Sequence, residues 1–70
     1  TLKDVRRLLD MLPMIQREVV YMRFYQQLSF KEIAETTNCS INTALGRMRY
    51  AVLNMRRMAK TYGMTLQLSI

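Results

Sequence analysis

Seventy residues carrying eleven Lys and Arg against five Asp and Glu give a formal net charge of +6, in a chain long enough for one domain and too short for two. Half the residues are apolar, too many for a disordered tail, and with no His and a single Cys39 there is no zinc-finger ligand set, His-based catalytic pair or internal disulfide. No apolar run approaches a membrane span and no signal-peptide pattern opens the chain, and the absence of a disulfide framework fits a cytoplasmic protein.

The charge is uneven. Residues 1–35 hold six basic and five acidic side chains, a net of +1, whereas residues 36–70 hold Arg47, Arg49, Arg56, Arg57 and Lys60 with no acid, a net of +5. A one-sided basic segment is the electrostatic footprint of a polyanion binder. The seven methionines suit a small core of irregular gaps, because an unbranched side chain adapts to them. The chain opens on Thr1 rather than Met, as a fragment of something longer would.

From Thr1 to Met11, near-helical spacing of Leu2, Val5, Leu8, Leu9 and Leu12 predicts a short amphipathic helix with Arg6 and Arg7 toward solvent. Pro13 ends it and suits the first turn of the next. The second helix is expected from Pro13 to about Gln27. Ile15, Val19 and Met22 share one face and Val20 and Phe24 another, so it reads as a strut sandwiched between neighbours. Tyr21, Phe24 and Tyr25 follow helical spacing and are taken as packing residues rather than a base-stacking platform.

Ser29, followed three residues later by Glu32, predicts a capping box. Leu28 and Ile33 bracket it as a hydrophobic staple, and this third helix runs to about Thr36 or Thr37. The fourth is expected from an N-cap at Ser40 to about Thr61 or Tyr62, closed by Gly63. At about 100° per residue, Ala44, Met48, Ala51, Met55 and Met58 form an apolar stripe, with Arg49, Arg56, Arg57 and Lys60 broadly opposite. Leu53 also stands nearly opposite the stripe and is a candidate partner contact. The tail, residues 64–70, alternates apolar and polar; it is either a frayed terminus or a strand that pairs with a second copy in a homodimer.

The expected fold is all-α: a four-helix domain over residues 1–63 in which a helix-turn-helix, part of a three-helical bundle, carries a long recognition helix. Several small signals agree at the Thr37-Asn38-Cys39 turn. Ala34 and Ala44 are small where the two helices cross, Asn38 tolerates left-handed geometry, and Cys39 is apolar enough to tuck under it. Recognition helices place their N-terminal residues at base edges. Asn42, Thr43, Leu45, Gly46 and Arg49 are therefore the candidate base contacts, Asn42 with the geometry for adenine and Arg49 for guanine. Lys31, Ser40, Arg47 and Arg56 are the candidate phosphate contacts. Gly46 costs about 1 kcal/mol of helix stability relative to Ala, which calls for either close approach of DNA or tight helix packing.

Leu12-Pro13, Gln16 to Val20, Leu28 to Glu35 and Ser40 to Ala51, in that order and spacing over about residues 11–58, resemble the fourth conserved region of RNA polymerase sigma factors. The extracytoplasmic-function type is the most similar, and the string from Ser40 to Ala51 resembles versions from Bacteroidetes-like bacteria. The resemblance implies reading of the minus-35 promoter element in the major groove and contact with the flap of the polymerase β subunit, with an anti-sigma factor as a further partner. It implies no enzymatic activity, and no cofactor, metal or membrane is expected. The commoner family pattern has a basic residue where Leu45 stands, so no promoter sequence carries over. The domain that melts the minus-10 element is not among these residues, so the chain by itself is expected to bind duplex weakly and initiate nothing. Two other readings fit the layout: the output domain of a response regulator or quorum-sensing activator, and a protein-interaction module whose basic helix docks an acidic partner. Asp4, Asp10, Glu18, Glu32 and Glu35 form no catalytic or metal-ligand pattern.

Overall fold

The computed structural model describes residues 2–63, with side chains from Val5 onward. Helix α1 spans Leu2–Asp10, α2 spans Met14–Val20, α3 spans Phe30–Thr36 and α4 spans Ile41–Thr61. A single π-helical turn, Tyr21–Tyr25, extends α2. No strand occurs among the described residues, so the all-α expectation holds. The tail, on which strand pairing or fraying was expected, lies outside them.

Apolar spacing explains most of the packing. Leu8 and Leu9 of α1 are buried, as is Leu12 just before Pro13, while Arg6 and Arg7 face solvent. Pro13 sits one place earlier than expected, at the N-cap of α2 rather than inside its first turn. Val19 and Val20 are buried and Met22 and Phe24 pack against the core from the π turn. The fourth helix lies across the other three: its stripe Ala44, Met48, Ala51 and Met55 is fully buried, Met58 is partly so, and Val52 and Ala59 join it. The arginines and lysine expected on the far side, Arg49, Arg56, Arg57 and Lys60, are all exposed.

Two expectations about the second helix need correction. Ile15 was placed on a buried face but is 53 % exposed, because the neighbours of α2 cover the side bearing Val19 and Val20 and leave its first turn open. The helix also does not run regularly to Gln27. The Gln26 amide bonds back five residues to the Tyr21 carbonyl at 3.2 Å, the signature of a π turn. The Leu28 amide then reaches the Met22 carbonyl at 3.0 Å, which reverses the chain, and the reversal puts Gln27 at φ 56. Arg23 closes this joint from outside: its guanidinium donates to the Leu28 carbonyl at 3.0 Å and stands 4.8 Å over the Phe30 ring. Tyr21 and Tyr25 are exposed and stack on one another with centroids 5.2 Å apart, so of the three aromatics only Phe24 packs on the core.

The capping box of α3 is complete. The Ser29 amide donates to Glu32 Oε1 at 3.0 Å and the Glu32 amide to Ser29 Oγ at 3.1 Å. The staple residues fall as expected, Ile33 buried and Leu28 packed on the core. The far end of α3 closes as a Schellman motif: the Cys39 amide bonds the Ala34 carbonyl at 2.9 Å and Asn38 takes φ 55 between them. Gly63, at φ 67, closes α4 as expected.

Candidate nucleic-acid interface

The recognition helix is positioned by three local devices. Asn38 turns the chain, and Cys39 tucks half-buried against the core with its Sγ 3.2 Å from Thr37 Oγ1. Ser40 then caps α4, accepting from the Thr43 amide at 3.0 Å while its hydroxyl donates to Thr43 Oγ1 at 2.9 Å. Ala34 and Ala44 are both buried at the α3–α4 crossing, where a larger side chain would hold the helices apart. Farther along, Asn54 of α4 donates to Gln16 Oε1 of α2 at 2.7 Å, a tie across thirty-eight residues of sequence that fixes how α4 lies on the bundle.

This frame leaves the outer face of α4 open. Asn42, Thr43 and Arg49 are exposed, and Leu45, Gly46 and Arg47 are half-buried. Leu45 is not part of the core cluster, and a Cβ built on Gly46 would meet nothing within 4 Å. Packing against the rest of the domain is therefore not the reason for the glycine. Lys31 and Ser40 are exposed at the starts of α3 and α4, and Arg56 is exposed two turns beyond Arg49. The five candidate base contacts thus lie within the first nine residues of α4; of the candidate phosphate contacts Arg47 falls among them, and Lys31, Ser40 and Arg56 lie before and after them in the chain.

Electrostatics differ between the two helix starts. The Ser29 amide, and after it the Ser29 hydroxyl, hold the Glu32 carboxyl below its ordinary pKa, so α3 carries its own anion at its positive end. The first turn of α4 contains no acid. No carboxylate lies anywhere between Thr36 and Gly63.

Sequence reasoning missed Tyr50, 64 % exposed one turn beyond Gly46. Projection at about 100° per residue puts it beside Gly46 and would have found it. It also missed Arg23 and the Gln16–Asn54 tie, which depend on tertiary contact and have no local signal. Leu53 is exposed, at 48 %, as its position opposite the stripe implied. Arg6, Leu9, Asp10, Arg17, Tyr21 and Tyr25 line an open cleft of about 340 Å³, with no residue of α4 among them. No helix among the described residues is long and apolar enough to cross a membrane, and no group of His, Cys, Asp and Glu among them could hold a metal ion.

Comparison with curated proteins found no match. The family model described as Sigma-70, region 4, matches residues 2–49, more than half of the chain. It starts earlier than the motif resemblance over about 11–58 and stops inside α4, after Arg49. The response-regulator reading falls away with it. The chain belongs to the sigma-70 region 4 family, and is a helix-turn-helix domain of the kind with which sigma factors bind promoter DNA in company with RNA polymerase core.

Proposed function

We propose that this domain reads the minus-35 promoter element by laying the first half of α4 in the major groove. Asn42 pairs with an adenine and Arg49 with a guanine, each bidentately, while Thr43, Leu45 and Gly46 meet the base edges between them. Lys31, Ser40, Arg47 and Arg56 hold the flanking phosphates. Ser40 does so through the free amides of the helix start that it caps, since its hydroxyl is engaged by Thr43. The observation that carries this reading is the exposed, acid-free face of a capped helix that directly follows a left-handed Asn38.

Protein partners belong to the same reading. The β-subunit flap of the polymerase docks on the α1–α2 side, where exposed Tyr21 and Tyr25 with Arg6 and Arg17 supply the residue types that dominate protein interfaces. The resemblance over about residues 11–58 supports the extracytoplasmic-function type, which brings an anti-sigma factor as a second protein partner, and the string from Ser40 to Ala51 supports a Bacteroidetes-like source. Alternation in residues 64–70 supports pairing with a second copy.

The test separates base reading from phosphate holding. Arg49→Ala weakens promoter duplex by about 1–3 kcal/mol and relaxes its sequence preference, whereas Lys31→Ala weakens promoter and random duplexes alike. With four or five phosphates held, binding falls with salt at a log–log slope of about −4. Equal effects of both substitutions on both duplexes would sink the assignment, and a flat salt response would favour an acidic protein as the partner of α4.

A further inference from the structure

Gly46 breaks a local rule without a local reason. A glycine inside a helix costs stability because it gains no side-chain contact and gives up the most chain entropy. Neither of the usual compensations is present. Its backbone has no positive φ, and an added Cβ would stand in open space. The fold would accept alanine there. The glycine therefore serves something outside the domain.

Its surroundings say what. Gly46 lies on the side of α4 away from the buried stripe of Ala44, Met48, Ala51 and Met55. Its helical neighbours three and four residues away are Asn42, Thr43, Arg49 and Tyr50, all exposed. Four side chains thus stand around a position that has none, and the result is a notch. The floor of that notch is helix backbone whose N–H and C=O groups belong to the α4 ladder. Its N–H and C=O groups are already paired within the helix, so an apolar occupant can rest on it without breaking a hydrogen bond. Among the groups exposed in the DNA major groove, the thymine C5-methyl is the apolar one.

We propose that the Gly46 notch seats the C5-methyl of one thymine, so that a T·A pair is selected by a missing side chain. Asn42 and Arg49 in the notch wall then face the neighbouring bases. This rests on the reading of α4 as the groove-binding helix and names what that site takes at its centre.

The experiment begins by selecting the best-bound duplex for the 70-residue chain from a random library. Each thymine of that duplex is then replaced singly by uracil, which deletes only the methyl. One replacement is expected to weaken binding about fourfold, the transfer free energy of one buried methyl. Gly46→Ala is expected to raise the melting temperature of the free protein and yet weaken binding to the selected duplex. It also erases the penalty for that one uracil. Wild-type binding indifferent to every uracil, or a Gly46→Ala protein that binds the selected duplex as tightly as wild type, overturns the proposal. So does uniform weakening of all duplexes by Gly46→Ala, which would mean that the notch clears the sugar–phosphate chain instead. Arg49→Ala separates this failure from the failure of the promoter reading. If it still weakens the selected duplex, α4 reads DNA and only the notch is wrong; if it has no effect, or selection yields no preferred sequence, both readings fail.

Discussion

The two joints that precede α3 and α4 are built from the same three parts. Gln27-Leu28-Ser29 and Asn38-Cys39-Ser40 each supply a left-handed residue, at φ 56 and φ 55, then a half-buried apolar residue on the core, then a serine N-cap. The fourth helical residue after each cap, Ile33 or Ala44, is fully buried. They differ at the third position after the cap's start, where α3 has Glu32 and α4 has Thr43. A carboxylate there completes the capping box and neutralises the positive end of the helix. Thr43 supplies no such counter-charge at the start of α4. The difference separates a helix whose positive end is neutralised by its own side chain from one whose positive end has no side-chain anion beside it.

The strongest way to break that contrast is to give α4 the box that α3 has. Thr43→Glu should stabilise the free domain by about 0.5–1 kcal/mol, through the second capping bond and the helix dipole. Binding to duplex DNA should nonetheless fall by more than about tenfold, because a carboxylate then stands against phosphates at close range. A thermal melt and a fluorescence-anisotropy titration report the two changes separately. Tighter folding with unaltered DNA affinity would mean that the start of α4 is not at the DNA.

A smaller effect tests whether the two left-handed residues are equally suited to their place. Gln27 bears the Cβ clash of that conformation, whereas Asn38 is the non-glycine residue that tolerates it best. Gln27→Gly should therefore raise stability by about 0.5–1 kcal/mol, the relief of strain less the added entropy of the unfolded chain. Asn38→Gly should change it by less than about 0.5 kcal/mol. For a domain of this size the first change corresponds to a rise in Tm of about 2–8 °C. Equal responses would show that Arg23, bonded to Leu28 and stacked on Phe30, already holds the first joint without strain.

These joints also show which features were legible in the residues. The Ser29–Glu32 box, the Asn38 turn, the Ser40 cap and the buried stripe of α4 depend on neighbours within one or two turns, and all four were read from spacing alone. The π turn, the left-handed Gln27 and the exposure of Ile15 depend on where α1, α3 and α4 lie against α2. A helical wheel cannot supply that: Ile15 is as apolar as Val19 and differs only in what covers it. For the interface, periodicity put the basic ridge on the outside. It could not say that Gly46 faces empty space, because that depends on the absence of a neighbour rather than on the glycine.

The smallest effect sharpens the comparison through pH. The Ser29 amide and hydroxyl hold the Glu32 carboxyl below its ordinary pKa in the folded domain, so the folded state binds this proton less readily than the unfolded chain. The stabilisation is therefore complete above the ordinary glutamate value of about 4.3 and is lost as the pH falls through the lowered folded value. Glu32→Gln keeps a side chain able to reach the Ser29 amide but cannot titrate. Wild type should melt above Glu32→Gln at neutral pH, with the gap closing only in acid. The start of α4, capped by Ser40 and Thr43 without a carboxylate, should give Thr43→Gln no such pH-dependent gap. A gap for Glu32→Gln that stays constant into acid would trace the benefit of Glu32 to its shape rather than its charge. The contrast between the two helix starts would then cease to be electrostatic.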